Sequence, residues 1–272
     1  MPQIRPTHHA LSAGAPAATL WFQSAILWVQ SQVVARQPVF IWGVPGCGKS
    51  AVVRQLAESL KVRLQDVRAL LLDPVDLRGL PFLGSGGRSK WATPEFLPQN
   101  GIGILFLGEL NAAPAMVQAS CYQLVLDRKL GEYTLPDGWA IIAAGNRDSD
   151  RAVTTRMPTP LRIRFVHLEF EVDVQEWSEW AIQAGISPEV IAFLRFRPRL
   201  LSSFDKDARA FASPRSWEFV SQILKSAPDR GIEHELISDA VGIGAATEFS
   251  EDVPRTPEHR CHSAESDERA GT

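Results

Sequence analysis

The sequence predicts an α/β fold, a parallel sheet with helices on both faces, followed by a small helical domain. Three observations predict it. Short apolar runs of strand length recur up to Val172 with helix-length stretches between them, the arrangement that leads to parallel pairing through crossover helices. A glycine-rich turn at 43–50 joins one such run to an amphipathic helical stretch. Beyond Val172 the strand-like runs stop and helical patterns take over.

Along the chain, residues 1–19 are rich in Ala, Pro and His and read as a loose arm. From Leu20 to about Val34, the apolar residues Trp21, Ile26, Leu27 and Val34 predict a helix with a partly buried face. PVFIW (38–42) is a short apolar strand. KSAVVRQLAESL (49–60) is a helix with Val52, Val53, Leu56, Ala57 and Leu60 on one face. DVRALLL (66–72) reads as a second buried strand. The Gly- and Pro-dense stretch 73–98 contains a hairpin built from PFLG, SGG and RSKWA.

GILFL (103–107) is a further strand, and a helix follows from about Pro114 to Leu126. KLGEYTLPDGW (129–139) reads as a second hairpin and AIIAAGN (140–146) as another core strand. The alternating RFVHLEFE (164–171) is an edge or last strand. DVQEWSEWAIQAG, SPEVIAFLRF, SPRSWEFVSQILKS and IEHELISDAVG are helices. Two of them open on Ser-Pro, an N-cap followed by proline at the first helical position. The expected organisation is an arm at 1–19, a core at 20–172, a helical domain at 173–246 and a tail at 247–272. The tail has many charges and almost no aliphatic residues, so disorder is expected there.

Composition narrows the function classes. Hydrophobic content of 45% and charged content of 22% are ordinary for a soluble globular protein. The net charge of −3 is neutral on nucleic acid, but no basic run or aromatic–basic alternation marks a track, so no nucleic-acid partner is expected. No apolar stretch approaches the roughly 20 residues that span a bilayer, so no membrane partner is expected either. The N-terminal stretch makes a poor signal peptide, and a cytoplasmic location is expected. Cys47, Cys121 and Cys261 are widely spaced and form no CxxC pair. Reduced thiols are expected, with no disulfide framework or zinc site.

GVPGCGKS (43–50) fits G-x-x-x-x-G-K-[ST], the phosphate-binding loop. Gly43, Gly46 and Gly48 let the backbone wrap phosphates with its N–H groups turned inward. Val44, Pro45 and Cys47 occupy the free positions, Cys47 as small filler and not as a reactive thiol. Lys49 would reach the β- and γ-phosphates of ATP, and Ser50 would offer its hydroxyl to Mg²⁺. The helix N-terminus behind the loop adds a favourable dipole. A fortuitous glycine turn is the plain alternative; a strand leading in and an amphipathic helix leading out argue against it. Glu109, at the end of the buried run GILFLGEL, is placed to polarise an attacking water. Its plain alternative is a solvated glutamate at a strand end.

With these motifs in order, the chain resembles the AAA+ ATPases, most closely the MoxR-like group. The resemblance runs from about Pro38 to Gly244 and rests on GVPGCGKS, LDPVDLRGLP, FLGELNAAP, KLGEYTLPDGW, AAGN and SPRSW. It implies a P-loop NTPase core with a C-terminal helical lid, binding Mg-ATP between the subunits of a ring, expected to be a hexamer. Hydrolysis would drive remodelling or chaperoning of a protein partner, with a von Willebrand factor A-type protein as the leading class.

The resemblance also implies individual roles. Asn146 in AAGN matches the sensor of the γ-phosphate, which an amide suits because it both donates and accepts. Arg164 in LRIRF matches the arginine that reaches a neighbouring subunit's nucleotide, where a fixed guanidinium meets developing charge. Arg162 competes for that role, and a surface salt bridge is the plain reading. Arg215 in SPRSW matches the second sensor, contributed by the lid. The hairpins at 81–92 and 129–139 resemble insertions that face the pore, with surface decoration as the equal alternative.

Three departures qualify this expectation. Gly108 stands where the family carries the aspartate of its Walker B pair. Ala112 stands where relatives often carry arginine, and the likeness ends near GIGAATEF. Binding is therefore expected to survive while hydrolysis is weak. A hydrolysis-poor regulatory or structural subunit is the main rival, and a nucleic-acid motor the third reading. A GTPase is disfavoured because GNRD (145–148) does not match N-K-x-D.

Overall fold

The computed structural model describes residues 18–20, 29–33, 35–147, 157–205 and 207–253, in two compact units that divide between Trp177 and Ser178. The first unit holds a six-stranded parallel sheet. Its strands lie in the order Ala18–Leu20 (β1), Val166–Phe170 (β10), Val39–Trp42 (β2), Trp139–Gly145 (β9), Gly103–Gly108 (β6) and Arg63–Arg68 (β3). Helices cover both faces, as expected. From β2 the chain crosses through Lys49–Leu60 (α2) to β3 at the far edge, then returns through β6 and Ala115–Asp127 (α4) to β9. It then passes Thr159–Arg162 (α5) to reach β10 on the other side of β2. The direction of winding thus reverses at β2, and such switch points open a crevice at the carboxyl ends of the strands.

Strand alternation feeds two cores. Val39, Ile41, Ile104 and Phe106 pack with Val52, Val53, Leu56 and Ala57 of α2 on one face. Phe40, Leu105, Leu107, Ile141 and Ala143 pack with Val117, Cys121, Leu124 and Val125 of α4 on the other. Two small antiparallel hairpins, Leu80–Leu83 (β4) with Ser89–Ala92 (β5) and Lys129–Leu130 (β7) with Tyr133–Thr134 (β8), stand apart from the sheet. Residues 29–33 form a helical segment (α1), and the capped turn Pro74–Arg78 (α3) precedes the first hairpin.

Several boundaries differ from the sequence reading. The strand expected at 66–72 lies at Arg63–Arg68, because its register runs opposite Gly103–Gly108 of β6. Ala69–Leu71 form a 3₁₀ turn that leaves Leu71 78% exposed, so the Leu-rich run is not a buried strand. β10 is the last strand of the chain, one of the two expected readings, but not an edge strand: Ala18–Leu20, at the border of the expected arm, pairs outside it. Of the helix expected from Leu20 to about Val34, 29–33 are helical and Leu20 belongs to β1, while 21–28 and 34 lie outside the described residues.

The second unit contains Pro188–Phe196 (α7), Pro214–Ser226 (α8), Arg230–Val241 (α9) and Ile243–Asp252 (α10); Val174–Gln183 (α6) runs across the division between the units. In α8, Ser213 and Ser216 form a reciprocal capping box. The expected break at 246/247 falls inside α10. Phe249 explains the continuation, since it packs against Phe193 (5.1 Å between ring centroids) and Trp217 (5.7 Å). Arg197, just after α7, also pairs with Asp252 at 2.9 Å. Residues 254–272 of the expected tail lie outside the described residues. Among the described residues, no helix is long and apolar enough to cross a membrane.

Candidate nucleotide site

The loop 43–50 leaves β2 at the switch point and enters α2. Its glycines are needed for two different reasons. Gly46 and Gly48 have φ of 79° and 103°, the left-handed region that side chains rarely adopt. Gly43 has no room for one: a Cβ would lie 2.9 Å from both Cys47 Sγ and the Phe170 carbonyl oxygen. Gly48 is also the N-cap of α2 and offers no side chain to the helix's first N–H groups. Those donors, with the helix dipole, suit an anion.

Lys49 Nζ donates to the carbonyls of Gly43 (2.7 Å) and Val44 (3.0 Å) and to Asn146 Oδ1 (3.0 Å). Two residues predicted to face one phosphate, separated by 97 positions, thus meet at hydrogen-bond distance. Cys47 is buried, and burial pushes its thiol pKa up against the opposing charges of Lys49 and Arg147. That fits filler better than a nucleophile.

At the end of β6, Glu109 has φ 57° and ψ 36° and caps the 3₁₀ turn Leu110–Ala112. A left-handed glutamate costs about 1–2 kcal/mol, and such strain gathers at functional sites. Its carboxylate is partly buried and makes no hydrogen bond or ion pair among the described residues. Gly108 beside it is buried. A Cβ there would lie 3.2 Å from both Cδ and Nη1 of Arg68, the residue opposite it in register. The other guanidinium nitrogen, Nη2, holds Asp66 at 3.1 Å. A guanidinium thus lies beside the position where the resemblance implies a carboxylate.

Three supporting sets of contacts escaped the sequence reading. Asn111 Nδ2 donates to the Asn146 carbonyl at 2.7 Å, fixing the backbone that carries the sensor amide. Trp42 Nε1 donates to His167 Nδ1 at 2.8 Å, which leaves His167 Nε2–H to donate to the Arg162 carbonyl at 2.8 Å. The last residue before the loop is thereby tied to the turn that carries both candidate arginines. Arg147 anchors the residue after Asn146 to β10 and the chain just beyond it, through Glu169 (2.8 Å) and Glu171 (3.5 Å). Only the ELN triplet gave a hint in the sequence, since these partners lie on separate strands.

Arg162 and Arg164 are both exposed, and neither guanidinium has a hydrogen bond or ion pair among the described residues. The plain salt-bridge reading gains no support among the described residues, and Arg162 stays the competitor to Arg164. Arg215 is exposed in the first turn of α8, in the second unit.

The loop suits phosphates. For Mg²⁺, Ser50 offers a hydroxyl, while Gly108 brings no carboxylate and has a guanidinium beside it. Among the described residues, no group of three or more His, Cys, Asp or Glu is placed to hold a metal. The described residues thus offer Mg²⁺ one hydroxyl here, and an ion would be held chiefly by phosphate oxygens.

Sheet order, loop and switch point define the class: this is the P-loop NTPase fold. Solved structures place it there. The chain is similar to RuvB, the Holliday junction branch migration motor of Thermotoga maritima, at 15% identity and a TM-score of 0.51, over 85% of this chain and 68% of that one. It is similar to NtrX from Brucella abortus in complex with ADP at 18% identity and a TM-score of 0.52, over 88% of this chain and 55% of NtrX. For NtrX in complex with ATP the values are 16%, 0.51, 91% and 56%. The chain thus spans little more than half the length of the NtrX structures, and at these identities the likeness concerns fold. No family model matches the sequence, and no curated protein does.

Proposed function

We propose that this chain is an ATP-binding protein of the AAA+ type, of the MoxR-like group, which uses nucleotide to act on a protein partner. The observation that carries the reading is the Lys49–Asn146 hydrogen bond at 3.0 Å over a glycine loop at the sheet's switch point. In this reading the loop N–H groups and Lys49 bind the β- and γ-phosphates. Asn146, steadied by Asn111, faces the γ-phosphate, and Glu109 orients the attacking water. Arg164, or Arg162, serves a neighbouring subunit's nucleotide, and Arg215 acts as the second sensor. A von Willebrand factor A-type protein is the partner class that the resemblance favours, with self-assembly into a ring.

A second reading has its own support. Gly108 beneath Arg68 favours slow hydrolysis, so that bound ATP acts mainly as a regulatory or structural ligand. The primary test is calorimetric titration with ATP. Lys49→Ala should lose measurable binding, because the charge facing the phosphates is gone. Equal affinity in wild type and variant would overturn the nucleotide reading.

A further inference from the structure

We propose that Arg68 is a nucleotide-binding residue, a cation that replaces the absent carboxylate and makes ATP binding largely independent of a divalent metal. The proposal rests on the nucleotide reading above and adds a contact outside the phosphate loop.

Placement carries the argument. Along β6, Ile104 and Phe106 face α2 and its core, while Leu105 and Leu107 face the opposite core. Gly108 continues the first series, so its side-chain position lies on the face of α2 and the phosphate loop, at the carboxyl end of the strand. On β3, Leu64 packs on that same core and Val67 on the other, which puts Arg68 on the loop's face as well. The two residues are register partners. Arg68 Nη1 and Cδ lie 3.2 Å from where a Cβ at 108 would be, so glycine lets the guanidinium sit here without shifting, and a larger residue would displace it by a few tenths of an ångström.

Charge completes the argument. A carboxylate at this place would favour a hydrated divalent cation; a guanidinium disfavours one and attracts phosphate oxygens. Asp66 takes one nitrogen, Nη2, at 3.1 Å, which fixes the orientation of the fork. Nη1 has no hydrogen-bond partner among the described residues, and 40% of the side chain is exposed, so the group is accessible to a ligand. Always charged and planar, arginine suits this task better than lysine.

The test is calorimetric titration of the full chain with ATP in EDTA and in Mg²⁺, for wild type, Arg68→Gln, Arg68→Lys and Lys49→Ala. Wild type should bind in EDTA within about threefold of its affinity in Mg²⁺. Arg68→Gln should lose about tenfold or more in EDTA, the size of one charge-assisted contact. Arg68→Lys should recover part of that loss, which also shows that the fold tolerates the site. Arg68→Gln binding like wild type in EDTA would reduce Arg68 to a partner of Asp66 and overturn the proposal. So would wild type that binds in Mg²⁺ and fails in EDTA. In both of those cases a Lys49→Ala variant that loses binding keeps the nucleotide reading intact. Wild type that binds in neither buffer overturns both.

Discussion

At Asn111 a buried amide donates to the Asn146 carbonyl at 2.7 Å, while its oxygen lies against Gly145 without a hydrogen-bond partner. A Cβ at Gly145 would sit 2.1 Å from that oxygen, so the glycine of AAGN makes room for Asn111. Asn111→Ala removes one hydrogen bond, worth about 1 kcal/mol, and releases the backbone that aims Asn146. Lys49 and the loop are untouched. Single-turnover hydrolysis should therefore fall about five- to tenfold, with ATP affinity changed less than twofold by calorimetry. Affinity falling in step with rate would mean that Asn111 supports the loop as a whole. The loop residues were legible in sequence because phosphate wrapping restricts residue type at fixed spacing. Asn111, His167 and Arg68 were not, since each acts through a partner on another strand.

Elements were legible where one periodicity prevailed. α2 shows its apolar stripe, and the two hairpins announce themselves through Gly-rich turns. Leu70 and Leu71 misled because hydrophobic residues that end exposed read like a core strand; only pairing with β6 sets the true register. β1 was missed because three residues of strand leave no periodic signal. At the second hairpin, the Tyr133 hydroxyl donates to the Pro98 carbonyl at 2.5 Å. Burial pushes its pKa up to about 12 from 10.0, with Arg128 opposing. The folded state thus holds its proton more tightly than the unfolded chain does. That contribution is intact below pH 10 and is lost as pH rises through about 12. Melting temperature should fall across this window in wild type, and less steeply in Tyr133→Phe. Cys121, pushed up to about 12 by burial, acts in the same direction in both proteins, so the difference between them isolates Tyr133. Parallel curves would show that the phenol does not couple to unfolding.

For the whole molecule the central question is self-association. Arg162 and Arg164 flank Ile163, which is 63% exposed, on a turn held from behind by His167. A single exposed isoleucine is ordinary, but two guanidiniums beside it with no partner among the described residues suit a neighbour that brings phosphate. Assembly should then depend on nucleotide, because ATP supplies the charge that the arginines meet. Sedimentation velocity with a non-hydrolysable ATP analogue should show species larger than the monomer, which shrink when the analogue is withdrawn. Arg164→Ala should weaken that assembly while leaving the affinity of each subunit's own loop for nucleotide within about twofold, since its loss is felt across the contact. Arg162→Ala decides between the two candidates: the residue whose removal costs more assembly is the one that reaches the neighbour. A strict monomer at high protein concentration, saturated with analogue, would sink the ring. ATP binding would then be an event confined to a single chain, and both arginines would have to be explained by another partner.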